Sequence, residues 1–263
     1  MIPKSIRRTV EFFSRHIVFN RHLPSRFGSL RLRVSPGAAL FFYKPLTAGH
    51  WDELYDFAEN YVSEGAVVWD VGANMGVFTF AAAYRAGGKG KVLALEADPW
   101  SAGLLRHSAL QNAGRAATVD VLQVAIAEKV SIETFNIPKR GRAAAHLAIG
   151  RGAGAEVVGG VREQQLVIAV SLDWLSERSA PPDVIKIDVD GAEMKVLLGG
   201  ERLIRQQRPV ILIEVYERNA DEVTKFLGAL GYSLFDFGSG MKGKIAISRA
   251  VYNTLAIPLS KET

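Results

Sequence analysis

From Ala66 onward the sequence alternates between short apolar segments and segments with helical periodicity, and this alternation constrains the fold more than any other feature. The segments AVVWDVG (66–72), KVLALEAD (91–98), DVIKIDV (183–189) and PVILIEVY (209–216) are nearly continuous apolar runs, each followed by a helical pattern. Such an alternation is typical of a parallel sheet with helices on both faces. The sequence therefore predicts an α/β protein with a doubly wound, mostly parallel sheet.

Several other segments complete this predicted domain at residues 65–263. The segments YSLFDF (232–237) and YNTLAIP (252–258) predict two terminal antiparallel strands. Residues 117–127 predict a single strand and residues 192–207 a single helix. An insertion at 128–165, rich in Gly, Ala and Arg, interrupts the series. Connections of this length are usually functional lids or disordered segments.

Residues 1–64 are predicted to form an N-terminal extension. Residues 4–20 place apolar side chains on one helical face and basic ones elsewhere, so we expect a basic amphipathic helix that packs on its own domain or contacts a membrane surface peripherally. An Arg-rich, acid-poor start is also typical of organelle transit peptides. The segments 29–36 and 38–44 predict a short hairpin, and 49–65 a covering helix.

Composition excludes several classes of site. The chain has 263 residues, 48% apolar content and no cysteine. Disulfides, thiolate zinc sites and cysteine nucleophiles are therefore excluded, and a reducing compartment is favoured. Because no apolar run approaches the roughly 18 residues that span a bilayer, we expect a cytoplasmic protein. Residues 1–34 contain eight Lys/Arg and one Glu, so the rest of the chain sums to −2, which disfavours nucleic-acid binding.

A glycine turn follows the first strand of the alternating series. Gly72 and Gly76 permit a tight turn, and Asn74 takes the place of the middle glycine of a dinucleotide fingerprint. Asp70 would repel a pyrophosphate but suits an ammonium group, and Glu96 ends the next strand, where an acid accepts hydrogen bonds from ribose hydroxyls. The alternative is a purely structural turn and a solvated strand end. A ligand with a ribose, an amino-acid end and no phosphate is S-adenosylmethionine.

Five blocks of this sequence resemble the FkbM-type methyltransferases, in order and between Val67 and Val215. The blocks are VVWDVGANMGVFT, ALEADPWSAGLLRHS, VSLDWL, PPDVIKIDVDGAEMKVLLGG and RPVILIEV. The most specific part consists of Lys186, Asp188, Gly191 and Glu193. One departure is Asp190, where the family usually has Glu. The resemblance implies a Rossmann-like class I fold and methyl transfer from S-adenosylmethionine, most often to a hydroxyl of a sugar or secondary metabolite.

The resemblance also implies which residues bind the cofactor. The glycine turn and Thr79 would hold the methionine end, Glu96 the ribose, and the end of the third strand the adenine. The expected cofactor-binding residues are Asp70, Gly72, Ala73, Asn74, Gly76, Thr79, Glu96, Ala97, Gln123 and Ala125.

Asp188 and Glu214 end two strands that are neighbours in the usual order of this fold, so their carboxylates can converge beside the methyl group. Three roles are open. They could bind a divalent cation such as Mg²⁺, one could act as a general base, or both could be structural, with Lys186 and Asp188 as an ion pair. The segment from Asp190 to Glu193 predicts a turn into a helix.

Among the five histidines, His146 is the best candidate base because it lies in the long insertion, which would overhang the strand ends. His107 is expected to be structural. Tyr216 and Asn219 could line an acceptor pocket. Trp51 and Trp100 are expected to be packing residues.

The sequence thus predicts an S-adenosylmethionine-dependent O-methyltransferase. Its acceptor would be a hydroxyl of a sugar, glycan or secondary metabolite, and no nucleic-acid partner is expected. The alternatives are a nucleic-acid methyltransferase and a non-catalytic scaffold that retains the fold. A homodimer is plausible on sequence grounds, and the location would be cytoplasmic with or without peripheral membrane contact.

Overall fold

The computed structural model describes residues 17–47, 49–139, 146–147, 160–238 and 245–259. Its strands are β1 (Phe19–His22), β2 (Arg31–Val34), β3 (Val67–Val71), β4 (Lys91–Leu95), β5 (Thr118–Leu122), β6 (Ala125–Ile126), β7 (Ser131–Pro138), β8 (His146–Leu147), β9 (Val161–Val170), β10 (Val184–Ile187), β11 (Val210–Glu214), β12 (Tyr232–Asp236), β13 (Ile245–Ile247) and β14 (Asn253–Pro258). Its α-helices are α1 (Asp52–Tyr61), α2 (Val77–Ala86), α3 (Pro99–Gln111), α4 (Leu172–Ser176), α5 (Glu193–Leu198), α6 (Glu201–Gln207) and α7 (Ala220–Ala229).

The central sheet has eight described strands in the order β13-β12-β14-β11-β10-β3-β4-β5. Strands β11, β10, β3, β4 and β5 are parallel, and β14 joins β11 in antiparallel orientation. The strand order reverses between β3 and β10, and this reversal point is where α/β sheets of this kind bind ligands. The predicted doubly wound, mostly parallel sheet with antiparallel C-terminal strands is confirmed.

Each face of this sheet has its own hydrophobic core. Val68 and Leu212 point to the face covered by the N-terminal extension, α1, α2 and α3. Trp69 and Ile213 point to the opposite face, where helices α4 to α7 contribute buried residues such as Leu227. The alternation follows from the two-residue period of a strand. Because Asp70, Lys186 and Glu214 share the parity of Val68 and Leu212, their side chains lie on the face of the N-terminal extension.

The N-terminal extension differs from its prediction in two places. β2 does pair in an antiparallel ribbon, but its partner is β1 rather than residues 38–44. Residues Leu40–Tyr43 form a 3₁₀ turn in which only Phe42 is buried, so the aromatic run is not a strand although its residues have strand propensity. The predicted helix 4–20 falls mostly outside the described residues, and its last residues, from Phe19, are in β1.

The insertion at 128–165 contributes strands to a second, four-stranded sheet with the order β6-β9-β7-β8, which we call the accessory sheet. β7 and β9 pair antiparallel over most of their length. The expectation of a lid or a disordered loop is therefore wrong for these strands, while residues 140–145 and 148–159 lie outside the described part. The single strand predicted at 117–127 is also wrong. It divides into β5 in the central sheet and β6 in the accessory sheet.

The helix predicted at 192–207 is interrupted at Gly199 and Gly200, which separate α5 from α6. A Cβ atom at Gly199 would lie 2.2 Å from the carbonyl oxygen of Ala127 and 3.0 Å from the Cα of Glu128. The backbone that leaves β6 therefore passes directly against the helix break. Within the described residues, no helix is both long enough and apolar enough to cross a membrane.

Candidate active site

The glycine turn after β3 has the left-handed backbone that its sequence requires. Gly72, Asn74 and Gly76 have φ angles of 78°, 50° and 85°. A side chain at Gly72 is excluded in addition by space, because its Cβ would lie 1.8 Å from the carbonyl oxygen of Asp188. The turn is therefore in close backbone contact with the end of β10. This contact places the glycine turn beside the second sequence motif.

The side chain of Lys186 connects the ends of β3 and β10 by ion pairs and a hydrogen bond. It lies opposite Asp70 in the register of β3 and β10 and is almost fully buried. Its Nζ lies 3.6 Å from Asp70 Oδ1 and 3.0 Å from Asp188 Oδ2, and it donates to the Gly72 carbonyl at 3.1 Å. Burial alone would lower the pKa of Lys186, but the carboxylates of Asp188 and Asp70 outweigh it and raise the pKa. The ammonium group is therefore charged and neutralises two carboxylates.

Asp70 itself is completely buried behind the turn. Its Oδ2 accepts a hydrogen bond from Thr79 Oγ1 at 2.5 Å. Burial raises the pKa of Asp70, while Lys186 and Thr79 oppose that rise. The structure thus gives Asp70 and Thr79 a place beneath the glycine turn, where they support its backbone. A direct contact of either residue with the cofactor stays a prediction.

Glu96 lies at the end of β4 and ties the glycine turn to the next loop. Its two oxygens accept hydrogen bonds from the backbone N–H groups of Asn74 and Asp98, both at 2.7 Å. Burial raises the pKa of Glu96 to about 7, although these hydrogen bonds oppose the rise. The side-chain Oδ1 of Asn74 is buried and has no hydrogen-bond partner among the described residues. An unpaired acceptor beside Glu96 suits a ligand that donates hydrogen bonds.

A cleft of about 650 Å³ opens above these residues, and we call it the cofactor cleft. Of the predicted cofactor residues, it brings together Gly72, Asn74, Glu96, Ala97 and Ala125. Ala73, Gly76 and Gln123 are not among its lining residues, and Gln123 is exposed. Residues that the sequence did not indicate complete the walls. They are Ser101 from α3, Val124 and Ile126 around β6, Phe135 and Leu147 from the accessory sheet, and Asp190 and Ala192 after β10.

The turn after β10 is held by a second set of hydrogen bonds. Asp190 has a φ of 47° and accepts a hydrogen bond from the Tyr216 hydroxyl at 2.9 Å. Burial, followed by the neighbouring charge of Asp188, raises the pKa of Asp190 to about 7. Glu193 is fully buried, accepts from the Gly191 backbone N–H at 2.8 Å and receives a hydrogen bond from Asn219 Nδ2. Tyr216 and Asn219 therefore fasten this turn.

A second cavity, of about 1040 Å³, lies between the N-terminal extension and the ends of β10 and β11, and we call it the acceptor cavity. Asp188 lines both this cavity and the cofactor cleft. Asp188 is therefore a wall residue that the two cavities share. The remaining walls come from distant parts of the chain: Gly49, His50, Trp51, Glu53 and Leu54 before and within α1, Lys186, Ile187, Leu212 and Glu214 in the sheet, and Tyr252 and Asn253 at β14.

Glu214 lies in the acceptor cavity at the end of β11, as the strand order predicted. Its Oε2 accepts a hydrogen bond from the Tyr252 hydroxyl at 2.5 Å. Burial raises the pKa of Glu214 to about 7, and the charge of Asp188 adds to this rise. Glu214 and Asp188 thus face one cavity. The described residues contain no group of three or more His, Cys, Asp or Glu side chains placed to hold a metal ion.

The histidines are placed differently from the sequence interpretation. The backbone of His146 pairs with Asn136 in the accessory sheet, and its side chain lies outside the described part. His50, which had not been singled out, lines the acceptor cavity, where its ring stacks on Phe41 at a centroid distance of 3.6 Å. Trp51 also lines this cavity while it packs against Phe42, so it is more than a packing residue. No motif surrounds His50 or Trp51 that could have marked them.

A doubly wound sheet with a glycine turn and a distal acid at the point of strand reversal is typical of α/β proteins that bind a nucleoside-containing ligand. Residues 70–234, more than half of the chain, match the methyltransferase FkbM domain. The chain belongs to the FkbM methyltransferase family, which confirms the resemblance noted in the sequence. A search among curated proteins found no match.

The chain is similar to several solved structures at low sequence identity. A methyltransferase FkbM from Methylobacillus flagellatus KT has a TM-score of 0.51 at 16% identity, over 77% of this chain and 47% of that chain. This chain thus spans about half the length of that protein. A precorrin-6y C5,15-methyltransferase from Geobacter metallireducens GS-15 has a TM-score of 0.46 at 13% identity, covering 79% and 87% of the two chains. A SAM dependent methyltransferase from Aquifex aeolicus has a TM-score of 0.46 at 14% identity, covering 85% and 97%.

Proposed function

We propose that the protein transfers a methyl group from S-adenosylmethionine to a hydroxyl group of an acceptor bound in the acceptor cavity. The observation that carries this proposal is that the cofactor cleft and the acceptor cavity share Asp188 as a wall residue. Methyl transfer requires the acceptor oxygen and the methyl group to be held in line at short distance. Two adjoining cavities with a shared wall provide this arrangement without further rearrangement of the sheet.

The residues of the cofactor cleft fit S-adenosylmethionine, which supplies an electrophilic methyl group when bound. Glu96 retains accepting capacity toward ribose hydroxyls, since each of its oxygens accepts one hydrogen bond from the described residues. The unpaired Oδ1 of Asn74 accepts from a ligand N–H or O–H group. The left-handed turn at Gly72 brings backbone close to the ligand without a side chain between them.

Glu214 is the best placed general base among the carboxylates of the acceptor cavity. Asp188 is held by the ammonium of Lys186 at 3.0 Å, and an ion-paired carboxylate is a weaker proton acceptor. Glu214 has a hydroxyl partner, Tyr252, and a pKa of about 7, which matches neutral conditions. In this mechanism Asp188 orients the acceptor hydroxyl, Glu214 removes its proton, and the oxygen forms a bond to the methyl carbon as the carbon–sulfur bond breaks.

A divalent cation such as Mg²⁺ is a second arrangement for the same two carboxylates. Asp188 and Glu214 line one cavity, and oxygen ligands of this kind suit Mg²⁺. The described residues would supply only two carboxylates, so acceptor hydroxyls and water would complete the coordination. Methyl transfer that persists after complete chelation would exclude this arrangement.

The proposal is tested by calorimetry with S-adenosylmethionine and by a methyl-transfer screen over hydroxylated sugars, glycans and secondary metabolites. We expect binding of the cofactor, and a rate that rises with pH through about 7 because Glu214 acts in its deprotonated form. Glu214→Gln should lower kcat by about 10²- to 10⁴-fold with little change in cofactor affinity. The matched control is Glu222→Gln, an exposed position on α7. If the protein did not bind S-adenosylmethionine, the proposed function would be wrong.

The remaining partners follow from this proposal. We propose a small-molecule or glycan acceptor rather than a nucleic acid, because the acceptor cavity is lined by Glu53, Asp188 and Glu214. These carboxylates would repel a phosphate backbone. A cytoplasmic location and a homodimer are retained as proposals, to be tested by cell fractionation and by size-exclusion chromatography with light scattering.

A further inference from the structure

The N-terminal extension has an uneven charge. Residues 17–47 contain five Lys/Arg and no Asp or Glu, and residues 1–16 add four Lys/Arg against one Glu. Since the whole chain has a net charge of +5, residues 48–263 sum to −3. The positive charge of the extension is therefore concentrated in residues 1–47, whereas residues 48–64 contain five Asp/Glu and no Lys or Arg. Such a concentration predicts a negatively charged partner for this part of the protein.

Exposed apolar side chains lie among these cations. Phe41, Tyr43 and Ile17 are 46%, 39% and 38% exposed, although each could be expected in a core. Of these three, Tyr43 is connected to β1 by described contacts. Arg21 donates to the Tyr43 carbonyl at 2.9 Å and covers the Phe19 ring at 4.7 Å, and the Phe19 and Tyr43 rings are 5.8 Å apart.

We define the docking face as Ile17, Arg21, Phe41, Tyr43 and Lys44. We propose that this docking face binds the surface of an anionic lipid bilayer. Aromatic side chains are favoured at the level of lipid headgroups, and neighbouring Lys and Arg side chains are attracted to anionic lipids. A nucleic acid fits less well because the rest of the chain is net negative.

The docking face also adjoins the acceptor cavity. The ring of Phe41 stacks on His50, and His50 lines the cavity. A bilayer bound to this face would therefore lie next to the route by which an acceptor enters. It follows that a lipid-linked hydroxylated acceptor can reach Asp188 without leaving the membrane surface. This last step rests on the proposed function, whereas binding of the docking face to lipid does not.

The test is cosedimentation of the full chain with vesicles of phosphatidylcholine containing about 30% phosphatidylglycerol. We expect binding that weakens with added salt and is absent with pure phosphatidylcholine. The variant Tyr43→Ser/Lys44→Gln removes one aromatic ring and one charge from the docking face, neither of which lines the acceptor cavity. It should lower the vesicle partition coefficient roughly tenfold. Adding Arg21→Gln should lower it by a further factor of about five.

The matched controls lie on the opposite face of the central sheet. Leu198 on α5 is 44% exposed, and Lys225 on α7 is exposed. Leu198→Ser/Lys225→Gln should bind the vesicles as the wild type does. Calorimetry with S-adenosylmethionine checks that each variant is folded, and its result separates a failure of the proposed function from a failure of this inference.

A site-specific readout is available because the chain has no cysteine. An environment-sensitive fluorophore on Tyr43→Cys should shift to shorter wavelength when anionic vesicles are added, and the same label on Leu198→Cys should not. The inference is overturned if the wild type does not bind anionic vesicles, or if the docking-face variants bind as tightly as the wild type. Binding of single-stranded RNA that depends on the docking face, without vesicle binding, would overturn it in favour of nucleic acid.

Discussion

The cofactor cleft and the acceptor cavity are assembled in opposite ways. The polar residues of the cofactor cleft come mainly from two local turns, one at Gly72–Asn74 and one at Asp188–Asp190, with Glu96 between them. The acceptor cavity is assembled from segments up to two hundred residues apart, for example Glu53, which receives a hydrogen bond from Asn253. The comparison shows that a fixed ligand can be held by a compact motif. The acceptor cavity instead includes residues of the N-terminal extension, which lies outside the matched domain at 70–234.

Lys186→Met would break the comparison, since Lys186 lines the acceptor cavity and also pairs with Asp70 and Asp188 at the two strand ends beside the cofactor cleft. The substitution leaves the buried Asp70 and the half-buried Asp188 without their cation. We expect a loss of about 3–5 kcal/mol in the free energy of unfolding, the usual result of removing one partner of a buried pair. Urea denaturation measures it.

The double variant Lys186→Met/Asp70→Asn removes the buried charge together with its partner. It should recover part of the stability, because a neutral amide costs less to bury than an unpaired carboxylate. If Lys186→Met were as stable as the wild type, the ion pairs would have no role in joining the two strand ends.

Gly72→Ala tests the cofactor cleft alone. The new methyl group would meet the Asp188 carbonyl and would also strain a left-handed backbone. We expect about 2–5 kcal/mol of destabilisation and a large loss of affinity for S-adenosylmethionine. Gly114→Ala is the matched control, because Gly114 has a similar φ of 75° with nothing within 4 Å of its Cβ. The control should cost only about 1–2 kcal/mol. Equal losses would show that strain, not the close approach to Asp188, makes glycine necessary.

Tyr252→Phe tests the acceptor cavity alone, and we expect it to have the smallest effect of these variants. The hydrogen bond from Tyr252 lowers the pKa of Glu214 and opposes the effect of burial. Without it, the pKa of Glu214 rises further, so the increase of kcat/KM with pH should move to higher pH by about one unit. Affinity for S-adenosylmethionine should stay unchanged. A pH profile identical to that of the wild type would argue against Glu214 as the base.

Much of the central sheet was predictable because its strands are apolar on both faces. β3 and β10 could be placed from their residues alone, and the charged side chains in them, Asp70 and Lys186, are explained by their pairing across the two strands. The prediction failed for segments whose residue composition is compatible with more than one local structure. Residues 117–127 contain no Gly or Pro that would mark a break, yet the chain changes sheets near Gln123. The aromatic run at 40–43 has the composition of a strand, but its backbone forms a 3₁₀ turn.

The candidate site was predictable to the extent that it is local. Gly72, Asn74 and Glu96 line the cofactor cleft because their turn has a sequence signature, and Asp188 follows from the order of strands. The contributions of His50 and Trp51 could not be predicted, since their approach to Glu214 depends on how the N-terminal extension packs against the sheet. Such long-range contacts leave no periodic pattern in one sequence.

The contact of Gly199 with the chain leaving β6 has a consequence for how this protein can diversify. The accessory sheet supplies Phe135 and Leu147 to the cofactor cleft. The backbone that leaves β6 lies so close to Gly199 that a side chain at this position would not fit. Gly199 is therefore a fixed point of contact between the accessory sheet and the helices. Strands β7, β8 and β9 can vary in length and sequence. Gly199, in contrast, cannot be replaced by a residue with a side chain unless the backbone that leaves β6 moves.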